Sequence, residues 1–189
     1  MNKKLHKIDL VWANIFSILI LVPIIILYGL PYYFIWGNPF KEALNFDGSF
    51  LESILPNSIL IIPIMLIGII IHELVHGITW SIFTKHGFKS IKFGILWKMI
   101  TPYCHCTEPL KAKHYRLGAI MPFIVLGIIP FAASLVSGSL GLFLFSVLFT
   151  IAASGDFLML YMLRIAKPSQ YVQDHPSEAG FYIYDDVFS

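Results

Sequence analysis

Residues 69–79 read "IIIHELVHGIT", an apolar run that carries two histidines and a glutamate. His72 and His76 are four residues apart, so on a helix they project from one face, one turn above the other. Glu73 lies beside the same face. This is the HExxH pattern, with two imidazoles for a zinc ion and a carboxylate to take a proton from an attacking water. Chance supplies about 0.007 such matches in a chain with this many His and Glu residues. A catalytic zinc also needs a third protein ligand and an open position. Asp156, in "AASGDFLML", is the candidate: of 11 acidic residues only Glu73 and Asp156 fall deep inside apolar stretches. Ionisable groups there cost at least ~2.5–3.5 kcal/mol and are functional candidates by default. Glu108 or His105 could take that ligand position instead. Cys104-His105-Cys106 could form a zinc clip, or His105 could stabilise a transition state, but the cramped spacing favours a strand with incidental thiols. His6, His86, His114 and His175 fall in polar stretches and read as surface histidines.

Those residues must be positioned by elements suited to lipid. The chain is 57% hydrophobic and 13% charged, with mean hydropathy +0.76; ordinary soluble domains are about 45–50% apolar and about a quarter charged. An integral membrane protein, with the lipid bilayer as its first partner, is therefore expected. A net charge of +2 without a basic-aromatic patch argues against nucleic acid. Four stretches, residues 10–36, 57–84, 115–136 and 140–166, each exceed the ~20 residues that cross a hydrocarbon core. The first is too long for a signal peptide and no small-residue cleavage site follows it, so it reads as a retained anchor. With four spans, every basic residue except Lys41 lies on one side, which places both termini and the 85–116 segment in the cytosol of a multi-pass cell-membrane protein. His72 lies ~22 Å along the second span and Asp156 ~24 Å along the fourth, at 1.5 Å per residue, so the two reach a common depth. Ala152, Ala153, Ser154 and Gly155 are small enough to let another helix approach there.

Between spans two and three, Ile91, Phe93, Ile95, Trp97 and Met99 alternate with Lys92, Gly94, Leu96, Lys98 and Ile100, a period of two that signals a strand. Thr101-Pro102 breaks the run, and residues 103–107 could return as a second strand. A reducing cytosol and Cys-x-Cys spacing make a disulfide between Cys104 and Cys106 a poor expectation. The polar tail, residues 168–189 with Asp174, Glu178, Asp185 and Asp186, reads as a soluble flap. The expected fold is thus an all-α membrane protein: one domain over residues 1–189, four transmembrane helices, and a short cytosolic β-hairpin between the second and third.

"HELVHG", "CHCTEPLKAKHYRLGAIMP", "SGDF" and "DHPSEAGF" together resemble the zincin peptidase family of small bacterial membrane proteins. That family is in turn similar to the site-2-type intramembrane metalloproteases, which pair HExxH on one span with an aspartate on a later one. The resemblance implies His72 and His76 as zinc ligands, Glu73 as base and Asp156 as third ligand. One departure is that Gly155 precedes the aspartate and Phe157 follows it, where site-2-type proteases usually have glycine after it. The expected activity is zinc-dependent hydrolysis of peptide bonds in a membrane or membrane-proximal protein. The alternatives are a non-catalytic scaffold with a structural or vestigial metal site, and a metal transporter. An intact Glu73 argues against the scaffold; the lack of repeat symmetry and of a second ionisable cluster argues against the transporter.

Overall fold

The computed structural model describes residues 3–7, 9–37, 49–96, 101–175 and 180–184. After strand β1 (Lys3–Lys7), the first apolar run folds as α1 (Leu10–Leu19), α2 (Leu21–Ile24), a π-helical turn Ile25–Gly29 and α3 (Leu30–Trp36). Asp9 caps its start, accepting from the Val11 and Trp12 N–H groups at 2.8 and 3.3 Å. Pro23 and Pro31 flank the wide turn; a proline lacks an N–H and crowds the preceding carbonyls, which the wider turn relieves. α4 (Ser49–Ser81) is one helix of 33 residues and carries the HExxH run.

Strands β2 (Ile91–Leu96) and β3 (Thr101–Cys106) then pair antiparallel, with Ile91 opposite Cys106 and Leu96 opposite Thr101. The period of two thus marks a hairpin; Trp97, Lys98, Met99 and Ile100 lie outside the described residues. β4 (Leu110–Lys111) leads into α5 (Ala112–Pro122), a second π-helical turn Phe123–Ile128 and α6 (Ile129–Ser137), again with prolines, Pro122 and Pro130, around the wide turn. The last apolar run is not the single helix expected over 140–166. It divides into α7 (Leu140–Ala152) and α8 (Ser154–Leu163), bent by 43° at Ala153. Ala152, Ala153, Ser154 and Gly155 put no bulky side chain at the bend, which makes Asp156 part of the first turn of a new helix. A carboxylate is favoured there by the exposed N–H groups of the helix start.

The helices over Val11–Trp36, Ile59–Ser81 and Ala112–Ser137 are each long and apolar enough to cross a membrane, and the bent pair makes a fourth if it is one span. Their outward faces are apolar: Ile59, Ile62 and Val136 are 76, 66 and 85% exposed. Inside, Tyr28 Oη and Thr150 Oγ1 share a 2.8 Å hydrogen bond. Close approach is set by small residues, since a Cβ on Gly68 would meet the Phe149 ring at 2.1 Å.

β5 (Tyr171–Asp174) and β6 (Gly180–Tyr184) complete an antiparallel sheet of order β1-β6-β5-β4. This corrects two expectations. The fold is mostly helical rather than all-α, and the tail is sheet that binds the amino-terminal strand. Residues 176–179, with Glu178, and residues 185–189, with Asp185 and Asp186, lie outside the described residues. The sheet joins three segments distant in sequence, and β4 is too short to show a period. Its inward residues Leu110, Val172, Phe181 and Ile183 find their partners only in a core with Trp80, Tyr115 and Leu163. Arg116 pins α8 to this core by donating to the Leu163 and Ala166 carbonyls at 2.5 and 2.6 Å.

Candidate metal centre

α4 presents His72 and His76 on one face, and α8 brings Asp156 to meet them. His72 Nε2 lies 3.1 Å from Asp156 Oδ2, and His76 Nε2 lies 3.3 Å from Asp156 Oδ1. All three are withdrawn from the surface, the histidines to 8 and 5% exposure. They form a group that can hold a metal ion, with one ligand atom from each residue within 4.8 Å of the others.

The donor set suits zinc. Ligand bonds of ~2.0–2.1 Å around a tetrahedral ion put neighbouring ligand atoms about 3.3 Å apart, and each histidine nitrogen lies near that distance from one of the two Asp156 oxygens. Asp156 Oδ2 is buried and makes no hydrogen bond among the described residues, an unsatisfied carboxylate oxygen of the kind a cation satisfies. His76 Nδ1 is hydrogen-bonded to the Gly118 carbonyl at 2.9 Å. As the carbonyl can only accept, Nδ1 carries the proton and the Nε2 lone pair faces the group, the arrangement that orients metal-binding imidazoles. His76 is also stacked on Trp80 at 5.1 Å, and Trp80 on Tyr115 at 5.0 Å. Trp80 Nε1 donates to the Tyr115 carbonyl at 3.0 Å. Gly118 makes that stack possible, because a Cβ there would fall 2.0 Å from Trp80 Nε1.

The three residues open onto a cavity of about 250 Å³ that Glu73 also lines. Glu73 is half-buried, and the Cys104 backbone of β3 lies beside its carboxylate. The hairpin is seated against α4 at Gly77, where a Cβ would meet Phe93 Cζ at 2.7 Å and Ile91 Cγ2 at 3.0 Å. The glycine that follows the second histidine therefore brings β3 up to the glutamate.

The other sequence candidates lie elsewhere. Glu108 accepts from the Lys85 N–H at 2.8 Å, the His86 N–H at 3.2 Å and Ser90 Oγ, and pairs with His86 Nδ1 at 2.7 Å. It closes the turn after α4 and does not join the ligand group. Cys104 lines the cavity, whereas the Cys106 thiol is buried and donates to the Glu108 carbonyl at 3.3 Å. Both are free thiols, and among the described residues no metal group forms around Cys104-His105-Cys106. His6 and His114 stack on Phe181 and Phe83, and His175 packs at a tilt against Tyr182. Trp80, Tyr115, Gly118 and Asp174 border or brace the site, and the sequence alone does not single them out. Tyr115 and Gly118 do sit in "CHCTEPLKAKHYRLGAIMP", and Asp174 opens "DHPSEAGF".

No curated protein and no solved structure matches the chain. The family described as "Putative zincin peptidase" does match, over residues 65–171, a stretch that holds His72, Glu73, His76, the hairpin and Asp156. A match over more than half the chain, carrying each member of the ligand group, means that the protein belongs to this family.

Proposed function

We propose that this protein is a multi-pass zinc metallopeptidase of the cell membrane, with four spans and both termini in the cytosol, that hydrolyses peptide bonds of a membrane or membrane-proximal substrate. The observation that carries the reading is the convergence of two histidines and an aspartate from separate helices on the cavity that holds Glu73. His72, His76 and Asp156 would hold the ion. Zinc bound there supplies Lewis acidity, which polarises a carbonyl and acidifies water. Glu73 takes the proton of the attacking water and returns it to the leaving amine. Gly118 keeps the His76 ring in register. The burial of the ligands limits water to what the cavity admits. A helical substrate hides its peptide bonds and must unwind locally, and the cavity beside Glu73, walled on one side by the β2–β3 hairpin, can receive the unwound segment.

Zinc per chain, measured on the purified protein and on variants, is the first test. About one zinc in wild type, lost in His76→Ala and Asp156→Ala and kept when Cys104 and Cys106 are both replaced by serine, is expected. Glu73→Gln should keep the metal and lose at least about 10²-fold in cleavage of a peptide library read by mass spectrometry. Absence of zinc from wild type, or its loss only with the cysteines, sinks the reading. Zinc retained with no cleavage by wild type points to the scaffold instead.

A further inference from the structure

Asp174 reaches the cavity of the metal group from the carboxyl-terminal tail. Its side chain is 12% exposed. Oδ1 accepts from the Tyr115 hydroxyl, Oδ2 accepts from the Cys106 backbone N–H at 2.9 Å, and His105 Nδ1 lies 3.7 Å from Oδ2. Asp174 is not part of the metal group, and the hydrolytic steps above do not use it. Burial lifts its carboxyl above the ordinary range even though the Tyr115 hydroxyl and the Cys106 N–H favour the charged form. A carboxylate is thus kept at a desolvation cost beside the site, where it satisfies two donors.

Its contacts indicate what it does there. Along β3, two alternate residues have acids at their backbones: Glu73 lies beside Cys104, and Asp174 accepts from the Cys106 N–H. Tyr115, held by the same Asp174, stacks on Trp80, which stacks on His76. One tail residue therefore holds both the strand beside Glu73 and Tyr115, and all of these line the same cavity.

We propose that Asp174 is a positioning residue for peptide binding: by holding β3 and Tyr115 it shapes the cavity wall that receives the substrate backbone. This rests on the hydrolytic reading. It predicts that the tail matters for engaging a peptide and is dispensable for holding the metal.

The test uses the full chain in detergent, loaded with zinc, and two probes that need no turnover. Acetohydroxamate reports access to the metal alone, and a tripeptide hydroxamate also needs the peptide-binding wall. Asp174→Asn should leave zinc content and acetohydroxamate affinity unchanged and weaken the tripeptide probe at least about tenfold, the size of one lost hydrogen bond. Equal affinity of Asp174→Asn and wild type for the tripeptide probe overturns the proposal. If Asp174→Asn fails to fold, or weakens both probes together, Tyr115→Phe decides. That variant keeps the ring and removes only the hydroxyl, so selective loss of the tripeptide probe supports the proposal, and any other pattern overturns it. A wild type that holds no zinc defeats the hydrolytic reading itself, a result distinct from a zinc-loaded wild type whose tripeptide affinity ignores Asp174.

Discussion

Single side chains divide here into those that serve the cavity and those that hold the ground around it, and Glu108 belongs to the second group. Burial would raise its carboxyl, but donors from Ser90, the Lys85 N–H and His86 outweigh that and hold it at about 2, against an ordinary 4.5. A folded-state value below the unfolded one means that the carboxylate stabilises the fold fully above pH 4.5. That contribution is lost as pH falls through about 2. Glu108→Gln should therefore lower stability by about 1–3 kcal/mol near neutral pH. The gap to wild type should close on acidification from 4.5 towards 2, as thermal melts in detergent would show. A constant gap would mean that the turn is held by packing instead. The same scale explains the quiet of the thiols: burial pushes Cys106 up to about 12, far from the low values that mark reactive or metal-binding cysteines.

Helices and strands meet at glycines around the site, and each such glycine has a different tolerance. Gly118 supplies the carbonyl that orients His76 and leaves room for Trp80 against α5. Gly118→Ala would drive its Cβ into the indole, displacing Trp80 from both Tyr115 and His76. A loss of about 1–3 kcal/mol is expected from overpacking, together with a drop in zinc affinity of about tenfold or more as the His76 ring turns. Gly155, next to Asp156, has open space where a Cβ would stand, with nothing within 4 Å, so Gly155→Ala should be nearly silent in both measurements. Equal behaviour of the two variants, by melting and by zinc titration, would show that the aromatic column does not support the centre. The bend at Ala153 acts at this scale as well, since it converts a mid-span aspartate into one at a helix start.

Across the whole molecule, two layers of organisation meet at the cavity. The apolar helices supply the metal group, and the sheet of amino-terminal, middle and tail strands closes one end of them. Removing residues 168–189 takes away β5 and β6, leaves β1 and β4 without partners, and deletes Asp174. It also removes Val172 and Phe181, both fully buried, whose burial is worth about 1.5–3 kcal/mol each. The truncated chain is expected to melt at lower temperature, to retain its zinc, and to bind the tripeptide hydroxamate at least about tenfold more weakly. Loss of zinc on truncation would show that the sheet is needed to assemble the ligand group itself.

What the amino-acid order determined alone is which residues short spacing and solvent class bring forward as a candidate site. His72, Glu73 and His76 are legible because a helix of known pitch turns their spacing into a common face. Asp156 stands out because an acid is conspicuous in an apolar run. The β2–β3 hairpin is legible from its period of two. The tertiary structure alone decided which remote segments lie together. The bend at Ala153 interrupts a run that reads as one continuous apolar span, and the two-residue β4 becomes a strand only by pairing with β5. Asp174 reads as one more acid in a polar tail until pairing with β4 and β6 carries it to the Tyr115 hydroxyl and the edge of β3. Local periodicity records what a residue's own helix or strand does with it, whereas the meeting of distant strands depends on long-range burial that no local spacing encodes.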